Sequence, residues 1–359
     1  MKMKKWFSVA ATAVMLTSVV AAGCSSSESS SGGGAASGGE ASGGGDKKLG
    51  AIALYSPETP DFTKEIGLNF EKAFPGSKVN VQYGGTNVIV NRLIAEKDNP
   101  QGDLWYGGGG FLPFETAKTK DIITPYIPEA VKDWPEVKDG IKVRDKDWNW
   151  VGVEVFALGF VYNTDLVKPE EAPKTWDDLL DPKWKGKIQM PNPAASGTAT
   201  LTVLSLLMDK GEEQGWDYFK KLVDQVSALP DSGSAPTKAV AKGEAEVAIA
   251  FDFMAYEMKG KGEKVDFIVP EKTPVIVNPA TLVKDGPNPE GGKAMIDYLL
   301  SQEGQQQLAN WYHIPIMPGV ESKTPLTLEK VLPHAMDLDV DWVVENYDRV
   351  RNEWRQKFQ

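Results

Sequence analysis

Apolar residues recur along this chain in two alternating patterns: short continuous or alternating runs, and longer stretches in which they return every three or four positions. Residues 49–55 (LGAIALY) predict a strand, which Ser56-Pro57-Glu58-Thr59-Pro60 ends. Phe62, Ile66 and Phe70 then fall on one helical face, closed by Pro75-Gly76. Residues 79–83 predict the next strand, Gly84-Gly85-Thr86 a turn, and residues 87–97 a helix. Asp103-Leu104-Trp105-Tyr106 and the run Gly107 to Gly110 lead to a further helical stretch.

The same grammar returns later. Residues 187–190 precede Pro191-Asn192-Pro193 and a helix from Ser196 with Leu201, Leu204 and Met208 on one side. Asp231-Ser232-Gly233-Ser234 opens a short helix, and residues 247–251 (VAIAF) predict a strand ending at Asp252. Strands alternating with helices imply parallel pairing and an α/β layered architecture in two units. Between them lies a strand-rich passage, 148–162, read as the crossing from one lobe to the other, with a return near 275–283. The expected organisation is a first lobe over 48–152, a second over 153–277, and a return to the first over 278–359. Val343, Tyr347, Val350 and Trp354 near the end are spaced as the packing face of a helix.

The first residues change the picture. Lys2, Lys4 and Lys5 precede an uncharged, mostly apolar run to Gly23, followed by Cys24, which predicts an export signal over 1–23. Cys24 is the only cysteine and follows Ala21-Ala22-Gly23; the arrangement resembles a bacterial lipobox, although Ala21 stands where Leu is usual. That resemblance implies a lipidated Cys24, a membrane anchor facing the extracytoplasmic side, and a fold held without disulfides. Residues 24–47 are almost entirely Ser, Gly, Ala and Glu, too poor in apolar groups to offset the entropy of ordering, and predict a flexible tether. The remaining roughly 310 residues suffice for two domains with cores of their own. A formal charge of −11 does not suit a nucleic-acid partner, and losing the lysine-bearing leader makes the chain more acidic still.

Candidate chemistry gathers where strands end. In open parallel sheets ligands bind beyond the carboxyl ends of the strands, where helix N-termini present unpaired N–H groups. Here that position repeatedly carries Ser, Thr or Gly: Ser56, Gly84-Gly85-Thr86, Gly108 and Gly109, Ser196-Gly197-Thr198, and Gly233-Ser234. Any one of these is explained by capping or turn formation. Together they predict several helix starts aimed into one cleft, suited to a phosphate, phosphonate or carboxylate held without Arg or Lys. Asp252, at the mouth of the 247–251 strand, is the expected acceptor for a ligand amine or hydroxyl, or else a cap or interlobe ion-pair partner.

Several phrases also resemble a known family. Trp105-Tyr106-Gly107-Gly108-Gly109, the stretch 159–166 (GFVYNTDL), 176–188 (WDDLLDPKWKGKI), 191–198 (PNPAASGT) and 232–236 (SGSAP) are similar to extracellular solute-binding proteins of the ferric-iron, phosphonate and sugar-phosphate type. The resemblance spans nearly all of the chain after the tether. It implies a two-lobed type II periplasmic-binding-protein fold with a two-strand hinge, closure on ligand, and delivery to the permease subunits of an ABC transporter by a monomer without cofactor. Iron-binding relatives carry a tyrosine pair after the strand matching 247–251; Phe253 and Met254 stand there here, and His313 and His334 are isolated, so ferric iron is the lesser alternative. An exported hydrolase using Asp177 and Asp178 is the rival of another class; the chain lacks a Gly-x-Ser-x-Gly elbow, a His-Glu-x-x-His helix and a phosphate loop, and no enzyme is expected. A ligand-presenting partner of a sensor would use the same fold.

Overall fold

The computed structural model describes residues 48–359; the predicted leader over 1–23, Cys24 and the tether over 24–47 lie outside the described residues. The chain forms β1 (Gly50–Ser56), α1 (Pro60–Ala73), β2 (Ser77–Tyr83), α2 (Thr86–Ala95), β3 (Leu104–Tyr106) and α3 (Leu112–Thr119). The short strands β4 (Ile123–Thr124), β5 (Val137–Lys138) and β6 (Ile141–Lys142) precede the long β7 (Val151–Asn163). Next come β8 (Ile188–Gln189), α4 (Gly197–Lys210), α5 (Glu212–Val223), β9 (Val226–Ala228), α6 (Ala235–Ala241), β10 (Val247–Phe251), α7 (Asp252–Gly260) and β11 (Val265–Ile268). They are followed by β12 (Val275–Val283), α8 (Pro289–Leu299), α9 (Gln302–Asn310), β13 (Ile314–Pro315), α10 (Leu328–Val331) and α11 (Val340–Phe358).

Local chemistry accounts for the first helix. Pro60 opens α1 where a missing N–H is harmless, Asp61 and Lys72 complement the dipole at its two ends, and Phe62, Ile66 and Phe70 form its buried face. The predicted α/β grammar is observed on both sides of the sheet. Strands β2, β1 and β3 pair in parallel, as do β10, β8 and β9. The sheet order β2-β1-β3-β12-β7-β10-β8-β9 puts an antiparallel pair, β12 and β7, between these two parallel halves.

Those two strands carry the chain between the two parallel halves of the sheet. Strand β7 pairs with β12 over Val151 to Ala157, then changes partner and pairs with β10 from Leu158 to Tyr162. All of its residues are buried, which explains why its sequence is nearly continuous in apolar residues; Glu154 is its one charged member.

Beyond β12, α8 packs on β1 and β12, whereas α11 lies on α4 and also touches α3. The predicted stripe Val343, Tyr347, Val350 and Trp354 is buried. Trp354 sits 5.6 Å from the Phe219 ring of α5, Arg351 and Arg355 donate to the Ala194 carbonyl, and Arg349 pairs with Glu212 at 2.5 Å. The last helix therefore ends against the second parallel half, whereas α8 packs on the first.

Trp354 is fully buried. Trp354→Ala is expected to lower the free energy of urea unfolding by about 3–5 kcal/mol; a loss under about 1 kcal/mol would show that α11 contributes little to the folded state.

Candidate functional site

The loop after β1, the starts of α2 and α4, the glycine run after β3, the turn before α6 and the start of α7 enclose one cleft of about 330 Å³. Its wall contains Thr86, Gly108 and Gly109 from the first half and Ser196, Thr198, Gly233 and Ser234 from the second. Seven of the sequence-predicted site residues are thus brought together from segments far apart in the chain.

The starts of α2 and α4 face each other across this cleft. Asn87 Nδ2 in the first turn of α2 donates to the Ala195 carbonyl just before α4, at 2.7 Å. Both helices exceed two turns, so each directs unpaired N–H groups and a positive dipole end to the same place. Thr86 Oγ1 donates to the Gly108 carbonyl at 3.0 Å. Ser196 stands at the N-cap of α4 but its side chain makes no cap hydrogen bond, nor does that of Ser234 before α6. Of the two roles predicted for Ser196, the structure shows no capping bond.

The glycine run has a backbone reason. Gly108 and Gly109 have φ of +126° and +83°, left-handed values that disfavour any side chain. A Cβ on Gly109 would stand 3.0 Å from the Gly197 carbonyl carbon and from the Thr198 nitrogen. One on Gly197 would stand 2.9 Å from the Gly108 oxygen. Gly197 is therefore a contact between the halves at the edge of the cleft, and the two backbones touch because neither carries a side chain there.

Two predicted contacts are placed elsewhere. Ser56 is fully buried and its Oγ accepts the Glu58 N–H at 3.2 Å. Asp252 is also fully buried, its Oδ1 accepting from the Ala157 N–H of β7 at 3.1 Å, while Phe251 and Met254 on either side of it line the cleft. Burial pushes the Asp252 carboxyl up to about 7, against hydrogen bonds that act the other way. Asp177 and Asp178, weighed above as a hydrolase pair, have structural partners: Asp178 Oδ2 accepts from the Lys174 and Thr175 N–H groups, and Asp177 pairs with Lys210 at 2.7 Å.

Sequence reading missed Glu58, a buried residue that lines the cleft. Its Oε1 accepts from Asn278 Nδ2 of β12 at 2.9 Å, and the same amide nitrogen donates to Glu154 Oε1 of β7 at 2.8 Å. Glu154 Oε2 accepts from Tyr106 at 2.8 Å. His313 Nδ1 stands 3.5 Å from Glu154, with its ring between Phe62 and Phe253. Burial raises Glu58 to about 7 and holds Glu154 well above the usual carboxylate range, with the Glu58 charge adding to the latter; burial lowers His313 to about 3. Both acids in this network hold their protons more tightly than exposed carboxylates do. The available signals were the carboxylate inside Ser-Pro-Glu-Thr-Pro, read only as a strand breaker, and the lone charge in the apolar run of β7.

Comparison with known proteins bears on this arrangement. The family described as "Bacterial extracellular solute-binding protein" matches residues 113–342. Iron uptake protein A1 of Synechocystis is 29% identical over 294 residues, covering 75% of this chain and 76% of that one. A putative 2-aminoethylphosphonate-binding periplasmic protein of Salmonella typhimurium is 27% identical over 255 residues, covering 67% and 71%. The structure of the periplasmic binding protein AfuA from Actinobacillus pleuropneumoniae, with fructose-6-phosphate bound, superposes with a TM-score of 0.78 at 27% identity, over 86% of this chain and 98% of that one.

The buried carboxyl at Asp252 makes a pH-dependent prediction. Its folded-state value lies above the ordinary 3.8, so its contribution to stability is complete below about pH 4 and is lost as the pH rises through about 7. Asp252→Asn keeps an acceptor for Ala157 and removes the charge. Relative to wild type it is expected to gain about 1–3 kcal/mol of stability between pH 5 and pH 8. Melting temperatures at the two pH values test this; a variant no better relative to wild type at pH 8 than at pH 5 contradicts it.

Proposed function

The chain belongs to the bacterial extracellular solute-binding protein family, and from that membership we propose that it captures a small anionic organic solute in this cleft and passes it to the membrane subunits of an ABC importer. The meeting of the α2 and α4 starts, one from each parallel half, carries the proposal. Backbone N–H groups, two positive dipole ends and the Ser196 and Thr198 hydroxyls together suit a phosphate, phosphonate or carboxylate without a basic side chain.

The two parallel halves act as lobes, 48–152 and 153–277, with the return from 278 and with α11 resting on the second. Strands β7 and β12 serve as the hinge. A solute that touches Thr86 on one side and Ser196 and Thr198 on the other binds the closed arrangement better than an open one and shifts the population towards it. Cys24 anchors the protein by its lipid outside the cytoplasm. The protein acts as a monomer by binding and release, leaving the solute chemically unchanged.

Fructose-6-phosphate in AfuA and the phosphonate in the name of the Salmonella relative both belong to the proposed ligand class. The iron reading has less support from the lining, where Tyr83 is the one phenol and Met254 occupies a place from which it cannot offer a hard ferric ion an oxygen.

A thermal-shift screen across phosphate esters, phosphonates, carboxylates and ferric salts tests the class. A true ligand at a hundredfold excess over its dissociation constant stabilises by ~2.7 kcal/mol, and ferric salts are expected to leave the melting temperature unmoved. Ser196→Ala combined with Thr198→Ala should weaken the best anion at least tenfold by calorimetry, since hydrogen bonds to charged groups contribute ~1.5–3 kcal/mol each, with the fold retained. Undiminished affinity in that variant would reject the site.

A further inference from the structure

Among the described residues, Glu58 and Asp231 are the only charged ones in the wall of the cleft; both are acidic, with Glu58 buried and Asp231 exposed. A wall of that sign is a poor receptacle for an anion that carries nothing else. We propose that the solute is a zwitterion, its anionic end at the starts of α2 and α4 and its ammonium group paired with the carboxylate of Glu58; the proposal rests on the anion site inferred above.

The environment of Glu58 supports this assignment. The groups that act on it and on its partner Glu154 come from every neighbouring element: Tyr83 of β2, Tyr106 of β3, Glu154 of β7, Asp252 and Glu257 of α7, and His313 after α9. Burial keeps His313 neutral, and Lys261, the cation that follows α7, is held by Glu257 at 2.5 Å. No cation within this set balances a charge on Glu58. Glu154 already accepts from both Tyr106 and Asn278, whereas Glu58 has only the Asn278 amide among side chains.

A desolvated carboxylate without a counter-ion either keeps its proton or takes up a cation. An entering ammonium group provides the second course: the Glu58 carboxylic acid gives its proton to solvent, and the resulting carboxylate accepts a hydrogen bond from the ammonium. A hydroxyl on a sugar phosphate offers Glu58 a hydrogen bond but no charge, so it would leave the proton in place. Asn278 links Glu58 to Glu154 and lies on β12, so the charge of the solute is read next to a hinge strand.

Calorimetry with 2-aminoethylphosphonate, ethylphosphonate and fructose-6-phosphate tests the proposal on wild-type protein and on Glu58→Gln, a near-isosteric change whose folding is checked by its melting temperature. Wild type should bind the aminophosphonate at least tenfold more tightly than ethylphosphonate, and Glu58→Gln should bring the two affinities together. At pH 6, in two buffers of different ionisation enthalpy, wild type should release more protons on binding the aminophosphonate than the variant does; using one ligand for both cancels the ligand's own titration. Equal affinity of wild type for the two phosphonates overturns the proposal, as does tighter binding of fructose-6-phosphate or a preference for the amine that survives in Glu58→Gln. The first two outcomes are measured on wild type alone, so they stand even if the variant fails to fold. If ethylphosphonate and fructose-6-phosphate bind and the amine adds nothing, the anion site stands and only the Glu58 assignment fails; if no anion binds, both fail.

Discussion

Strands β7 and β12 lie side by side in antiparallel register, and every residue of both is buried. Buried backbone N–H and C=O groups must find partners, so the register of this pair is held strongly. Strands β1, β2 and β3 reach it through β12, and β8, β9 and β10 through β7. The cleft is the space left between elements that extend from the two sides of this shared seam, and its shape follows from the geometry of the seam.

Polar side chains within such a seam need partners of their own, and Glu154 and Asn278 find theirs next to the cleft. Glu154 and Asn278 pair with each other, and Asn278 continues to Glu58 in the wall. The network is dense in hydrogen bonds but poor in positive charge, and burial raises both of its acids above the usual carboxylate range. A low local dielectric strengthens the hydrogen bonds already made and penalises any charge left unbalanced. The cleft thus joins an amide-rich edge that favours negative charge to an acidic wall that favours positive charge.

Where the halves touch, backbone meets backbone. Gly108 and Gly109 lie against Gly197, and Asn87 reaches the carbonyl of Ala195. Absence of side chains at these glycines brings the α2 and α4 starts close enough to act on one small group. The residues most specific to the cleft are in this sense those with the least chemistry of their own.

Much of the fold was legible in the sequence because its determinants are local. Periodicity located the α1 face at Phe62, Ile66 and Phe70, the start of α4 after Ser196, and the buried stripe of α11. The alternation of strand and helix implied the parallel halves, and the strand-rich passage 148–162 contains β7. Partners and directions were decided only in three dimensions. The stripe on α11 says that a face is covered, but only packing assigns the cover to α4 and α5. Asp252 stands between two residues of the cleft wall, yet at the start of α7 a step of one position turns a side chain by about 100°, and it faces β7 instead. Glu58 reads in sequence as part of a proline-flanked turn; its meaning depends on Asn278 and Glu154, which the chain brings to it from far away. Sequence alone thus determined which segments form and which residue types end them, because those depend on near neighbours, while the tertiary structure decided which of those ends meet and which acid lines the cleft, because those depend on side-chain phase and on contacts between distant strands.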